Sequence, residues 1–166
     1  MRLYADMTKQ QVLQGIIEKL TIDLDIAIRA AQTAYETATH EENIAENKYD
    51  TLGLEASYLA AGQARRVEEI RQALLAYQKL NLKPFDEARG IQSGDLVTLE
   101  SARGVEQHLF LGPDAAGLKV NVDDTLITVI TQRSPLGQSL VGKFNGDDLD
   151  ISVNGSRQSF EITRVL

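Results

Sequence analysis

The stretch Leu13-Gln14-Gly15-Ile16-Ile17-Glu18-Lys19-Leu20-Thr21-Ile22-Asp23-Leu24-Asp25-Ile26-Ala27-Ile28-Arg29-Ala30-Ala31-Gln32-Thr33-Ala34-Tyr35-Glu36-Thr37-Ala38 decides the fold of the first half of the chain. Within it Leu13, Ile17, Leu20, Leu24, Ala27, Ala31, Ala34 and Ala38 recur at steps that alternate four and three. That is the a/d seam of a coiled coil. A second seam runs through Tyr49, Gly53, Ala56, Ala60, Gln63, Val67, Ile70, Leu74 and Tyr77, with Gln63 its weak member. The pattern breaks over roughly residues 39–47, which is room only for a tight reversal, so the two helices fold back as an antiparallel hairpin. Leu13 to Leu24 then face Val67 to Tyr77 at a wide apolar end, and Ala27 to Ala38 face Gly53, Ala56 and Ala60 at a narrow one. Helices of about 32 residues would be ~48 Å long, a rod. The alternative is a compact bundle, whose helices carry broader apolar stripes. Ile16, Ile22, Ile26 and Ile28 do widen the stripe near the base, but the strict seam favours the free-standing hairpin.

Outward from this stretch the composition changes at Lys83-Pro84-Phe85. All three prolines lie in the second half, and Gly15, Gly53 and Gly62 are the only glycines before Pro84. Short β-rich segments between turn residues predict strands at Asp95–Glu100, Glu106–Leu111, Lys119–Val122, Leu126–Ile130, Leu149–Val153 and Gln158–Val165. Leu149, Ile151 and Val153 alternate with Asp150 and Ser152, the period of a half-buried strand, and Asn154-Gly155 is a type I′ hairpin signal. Ser134-Pro135 starts a short helix, with Ser as N-cap and Pro at the first helical position. The expected fold is α+β, a coiled-coil hairpin over residues 1–82 joined by a linker over 83–93 to a small sheet domain over 94–166.

Composition narrows the function. The 166 residues carry a formal net charge of −7, which argues against coating duplex nucleic acid through its phosphates. There is no cysteine, so disulfides, thiolate catalysis and Cys-type zinc sites are excluded. No apolar run approaches the ~20 residues of a membrane span, and the N-terminal residues show no signal-peptide pattern. A cytoplasmic protein is expected.

The reversal, residues 39–50, is acidic: Glu41, Glu42, Glu46 and Asp50 crowd there with one lysine, Lys48. Asn43 can cap the second helix with Glu46 reaching back as a capping box. That leaves Glu41 and Glu42 unexplained. Carboxylates concentrated at one end of a rod suit a hard divalent cation such as Mg²⁺, and so few oxygens make half of a site that a partner completes. His40 reads as a solvated side chain, and His108, in a strand, has no acid or nucleophile pattern near it. No Gly-rich phosphate loop, zincin motif or nucleophile elbow occurs.

Two stretches resemble the bacterial Gre family of transcript cleavage factors, GreA and GreB. Asn43-Ile44-Ala45-Glu46-Asn47, with His40 before it and Tyr49 after, is similar to the family's tip pattern. The more specific run is Ser134-Pro135-Leu136-Gly137-Gln138-Ser139-Leu140-Val141-Gly142-Lys143, followed by Gly146-Asp147; it resembles the family's C-terminal motif almost letter for letter. The ending Ser159–Val165 resembles the family's closing strand. The resemblance implies an FKBP-like, mostly antiparallel sheet domain with one short helix. That domain would dock on RNA polymerase through Ser134, Pro135, Leu136, Gly137 and Lys143. It implies that the coiled coil enters the secondary channel, where tip acids share Mg²⁺ with the polymerase and assist cleavage of backtracked RNA, the factor being no enzyme by itself. Nascent RNA and DNA would be met only through the elongation complex.

On the tip the chain departs from the family. Aligned without a gap, the family's Asp falls on Asn43 and its Glu on Glu46; with a loop one residue longer, Glu42 takes the Asp role. The metal-sharing pair expected on this chain is Glu42 with Glu46, with Glu41, Asn43 and Asn47 as channel contacts. Two further readings stay open: a channel-occupying regulator without cleavage activity, and a coiled-coil adapter or chaperone unrelated to polymerase. Oligomeric state is left open.

Overall fold

The computed structural model describes residues 7–44 and 51–166 of the chain. Two long helices, α1 (Lys9–Ile44) and α2 (Thr51–Gln78), form a helical hairpin. Six strands and one short helix follow: β1 (Leu96–Ser101), β2 (Glu106–Leu111), β3 (Lys119–Val122), β4 (Thr125–Ile130), α3 (Pro135–Leu140), β5 (Asp148–Val153) and β6 (Ser156–Val165). By packing, the chain divides into two units, one of Glu18–Leu75 and one of Ala76–Leu166 together with the chain up to Ile17.

In the helical unit the described part of both seams emerges as read, while Tyr49, and Gly53 and Ala56 beyond their backbone, lie outside the described residues. Leu20, Ala27, Ala34 and Ala38 are buried on α1, and Val67 and Ile70 on α2, while Leu24, Ala31, Ala60 and Gln63 are partly buried. At the following α2 position Ala73 is the buried residue and Leu74 only partly so. The broader stripe does not continue: Ile22 is 57% and Ile26 61% exposed, as a strict two-helix seam requires. One expectation is corrected here. Residues 39–44 continue α1 rather than break it, so Asn43 lies in the last turn of the first helix and does not cap the second. Apolar periodicity reports packing, and it can stop before helical hydrogen bonding does; Thr37 and Thr39 still bond back to the carbonyls of Thr33 and Tyr35.

In the sheet unit α1 opens with a capping box that the expected elements lacked. The Thr8 N–H donates to Gln11 Oε1 at 2.9 Å, and the Gln11 N–H to Thr8 Oγ1 at 3.2 Å, so two orphan donors of the first turn are satisfied reciprocally. The strand order is β3-β4-β2-β1-β6-β5. Only β2 and β4 run parallel among the five pairings, and a register shift interrupts β1–β6 at Thr98/Leu99. One face of the sheet packs Val97, Leu99, Leu109, Leu111, Leu149, Ile151, Phe160 and Ile162 with Leu140 of α3 and Ile91. The opposite face carries Phe110, against which Tyr77 packs at 6.4 Å between ring centroids, and Val122, beside Gly15. The Tyr77 hydroxyl donates to the Asp114 carbonyl at 2.7 Å. Burial raises its pKa well above the ordinary value of 10.0, with the Asp114 carboxylate adding to the effect.

Candidate functional site

The run from Ser134 to Lys143 forms α3 and its exit, and local chemistry accounts for most of its letters. Ser134 is the N-cap: its Oγ accepts the Gly137 N–H at 3.0 Å and donates to the Thr131 carbonyl at 3.0 Å. Pro135 occupies the first turn, where its missing N–H costs nothing. Gly137 is required by contact, since a Cβ there would stand 1.9 Å from the Thr131 carbonyl oxygen. Leu136 packs on the edge of the core cluster, and Leu140 is fully buried within it.

The exit is equally constrained. Gly142 has φ +80, and its N–H donates to the Ile91 carbonyl, while the Ile91 N–H returns a bond to the Lys143 carbonyl, both at 2.9 Å. This exchange holds Gly90 so close that a Cβ would meet the Gly142 carbonyl at 2.5 Å. Asp147 Oδ2 accepts the Phe144 N–H at 2.8 Å and closes the next turn. After these roles are assigned, the solvent-facing side chains of the motif are Pro135, Gln138 and Lys143, with Arg133 just before it. Beside Leu136 an open groove is lined by Leu126, Thr128, Ile130, Gln107 and Lys119. Those exposed residues and this groove can contact a partner without unfolding the domain.

The linker preceding β1 is fastened by an ion pair that sequence reasoning missed. Lys9 Nζ lies 2.6 Å from Asp95 Oδ1 and 2.5 Å from the Lys83 carbonyl, and Asp95 Oδ2 accepts the Gln92 N–H at 2.8 Å. His108 sits in β2 with Thr98 Oγ1 at 3.2 Å and Glu106 at 3.7 Å. Burial lowers its pKa, against the pull of the Glu106 carboxylate.

The acidic stretch over residues 39–50 is described only in part. Glu41, Glu42 and Asn43 belong to the end of α1 by backbone, and their side chains lie outside the described residues, as do Glu46 and Asn47 altogether. His40 is exposed on α1. Among the described residues no group of three or more His, Cys, Asp or Glu is placed to hold a metal ion. No helix among them is long and apolar enough to cross a membrane.

No protein-family model matches the chain. Among curated proteins it is similar to the transcription elongation factor GreA of Syntrophus aciditrophicus, 23% identical over 164 residues, 96% of each chain. It is also similar to GreA of Vibrio cholerae serotype O1, 27% identical over 102 residues, and spans 60% of that relative's length. Similar solved structures include Thermus aquaticus Gfh1, at 23% identity over 89% of this chain and 92% of that one, with a TM-score of 0.40. The chain is thus similar in sequence to proteins named as transcription elongation factor GreA, in one case over nearly the whole length of both.

Proposed function

We propose that the chain is a Gre-type factor that binds RNA polymerase and modulates elongation by stimulating the polymerase's own cleavage of backtracked RNA. The observation that carries this reading is the likeness to a GreA over 96% of both chains, with the α3 motif as its most specific part. The sheet unit docks through the exposed side of that motif, Pro135 and Lys143. The hairpin enters the secondary channel and presents its acidic turn. There Glu42 and Glu46 would hold a Mg²⁺ shared with the polymerase, and such a metal would supply charge stabilisation at the scissile phosphate. The chain's own work is to bind, reach and orient, and it acts in the cytoplasm where the polymerase is.

The test uses stalled elongation complexes incubated with the protein and Mg²⁺. Release of 3′ dinucleotides or longer fragments is expected, abolished by Glu42→Ala with Glu46→Ala while polymerase binding persists. Lys143→Glu, on an exposed side chain, is expected to weaken binding without unfolding the domain. Intact binding with no cleavage would leave a regulator that acts by occupancy, the reading that Asn43 at the family's Asp position favours. Failure to co-purify with polymerase at low salt would overturn the proposal.

A further inference from the structure

β5 ends the sheet and, among the described residues, pairs only with β6. The β5–β6 register determines which of its backbone groups face outward. Val153 and Ser156 close the two-residue turn Asn154-Gly155, whose residues have φ 52 and 79. The closing pair of such a hairpin exchanges both hydrogen bonds, and bonded pairs alternate from there. Consistent with that parity, the Ile162 N–H donates to the Asp147 carbonyl at the far end. Leu149, Ile151 and Val153 therefore bond to β6. The N–H and C=O of Asp148, Asp150 and Ser152 point away from it.

The same three residues are exposed, while Leu149 and Ile151 are buried in the core. Beside them the sheet carries an unusual line of charge. Glu100 on β1 stands opposite Glu161 on β6, and Glu161 opposite Asp148 on β5. Like charges directly across strands destabilise a sheet. Asp150 has Arg157 at 3.1 Å and Ser159 as partners, but Glu100, Glu161 and Asp148 form no ion pair among the described residues. All four carboxylates line one shallow groove with Ser101 and Ser159.

Charge on an edge strand by itself guards against edge-to-edge aggregation. Asp148 and Asp150 suffice for that. Glu100 and Glu161 lie inside the edge, where a guard has no use for them and their repulsion is a cost. We propose that the open edge of β5 is a strand-addition site for an extended segment of a partner protein with lysine or arginine at alternate positions. Main-chain bonds to Asp148, Asp150 and Ser152 supply the pairing, and the basic side chains extend the line Glu100–Glu161–Asp148 with the opposite charge. Strand addition at an exposed edge takes its affinity from the backbone and its specificity from alternate side chains. A second copy of this chain fits poorly, because antiparallel β5–β5 pairing would bring Asp148 and Asp150 against their own kind.

The experiment titrates the isotopically labelled full chain with a capped hexapeptide of alternating lysine and valine, and with one of alternating glutamate and valine. Amide exchange is followed by NMR. The lysine peptide is expected to slow exchange at the Asp148, Asp150 and Ser152 amides and to bind at least tenfold more tightly than the glutamate peptide. Ser152→Pro removes one outward donor without touching the β6 ladder and is expected to weaken binding at least tenfold. Asp148→Lys with Asp150→Lys is expected to reverse the preference, and it reads the same question should the proline variant fail to fold. Equal binding of the two peptides, protection located elsewhere, or no binding of the lysine peptide at millimolar concentration would overturn the proposal and leave the acids as an edge guard.

Discussion

Replacing Lys9 with methionine tests how the start of α1 is held to the sheet unit. The Lys9 and Asp95 side chains are only 11% and 7% exposed, and their ion pair is 2.6 Å long. Methionine keeps the aliphatic volume and removes the ammonium. Among the described residues the Asp95 carboxylate would then keep only the Gln92 N–H as a partner, and the Lys83 carbonyl would lose its donor. Breaking a buried pair by removing one partner typically costs about 3–5 kcal/mol, because the other charge stays behind unpaired. The residual exposure of both side chains places the expected loss at the lower end, about 3 kcal/mol. Adding Asp95→Asn removes the stranded charge and keeps an acceptor for Gln92, so the double variant is expected to recover roughly 1–2 kcal/mol of that loss. Urea unfolding of the two single variants and the double one, followed by near-ultraviolet circular dichroism, gives the complete cycle. A single-variant effect below about 0.5 kcal/mol, or a coupling no larger than that between distant sites, would refute the assignment of the pair as a fastening.

Two further outcomes follow from packing and titration. Gly137→Ala is expected to destabilise by about 3 kcal/mol or more, because the new Cβ would press on a backbone carbonyl that cannot swing away. Gly142→Ala meets open space and carries only the strain of a positive φ, about 1 kcal/mol; their urea midpoints should rank in that order. The Tyr77 phenol, raised by burial, should ionise above the ordinary tyrosine value of 10.0 in a titration read at 295 nm. Its folded pKa lies above the unfolded one, so its contribution is complete below pH 10.0 and is lost as pH rises from there toward the folded value. Tyr77→Phe should remove that alkaline decline and cost about 1 kcal/mol near neutrality through the lost bond to Asp114.

The hairpin was legible because a heptad seam is a one-dimensional signal: residues at steps of three and four share a helix face whatever else the chain does. The β5–β6 hairpin was legible for the same reason, from the period-two alternation of Leu149, Ile151 and Val153 and from Asn154-Gly155, and the other strands from β-rich segments set between turn residues. The α3 motif could be read in part, since Ser at the N-cap and Pro after it follow local rules. Why Gly137 must be glycine could not, because the Thr131 carbonyl reaches it through a turn that only the folded chain makes. The Thr8–Gln11 capping box was present in the letters as Thr-x-x-Gln, but only the folded chain shows that both of its bonds form. The end of α1 was misplaced because a seam reports packing, while the backbone of Thr39 to Ile44 continues the helix beyond the last seam residue, Ala38.

By itself the sequence determined the class of the molecule: a two-helix seam, a small sheet, a short capped helix, and a family likeness carried chiefly by Ser134–Lys143. Those are properties of neighbours along the chain. The tertiary structure alone decided which distant groups meet. Lys9 reaches Asp95 across 86 residues, Tyr77 finds the Asp114 carbonyl, and Glu100, Glu161 and Asp148 fall into one line because two strand registers bring them there. Such encounters depend on register and burial, and local periodicity contains neither.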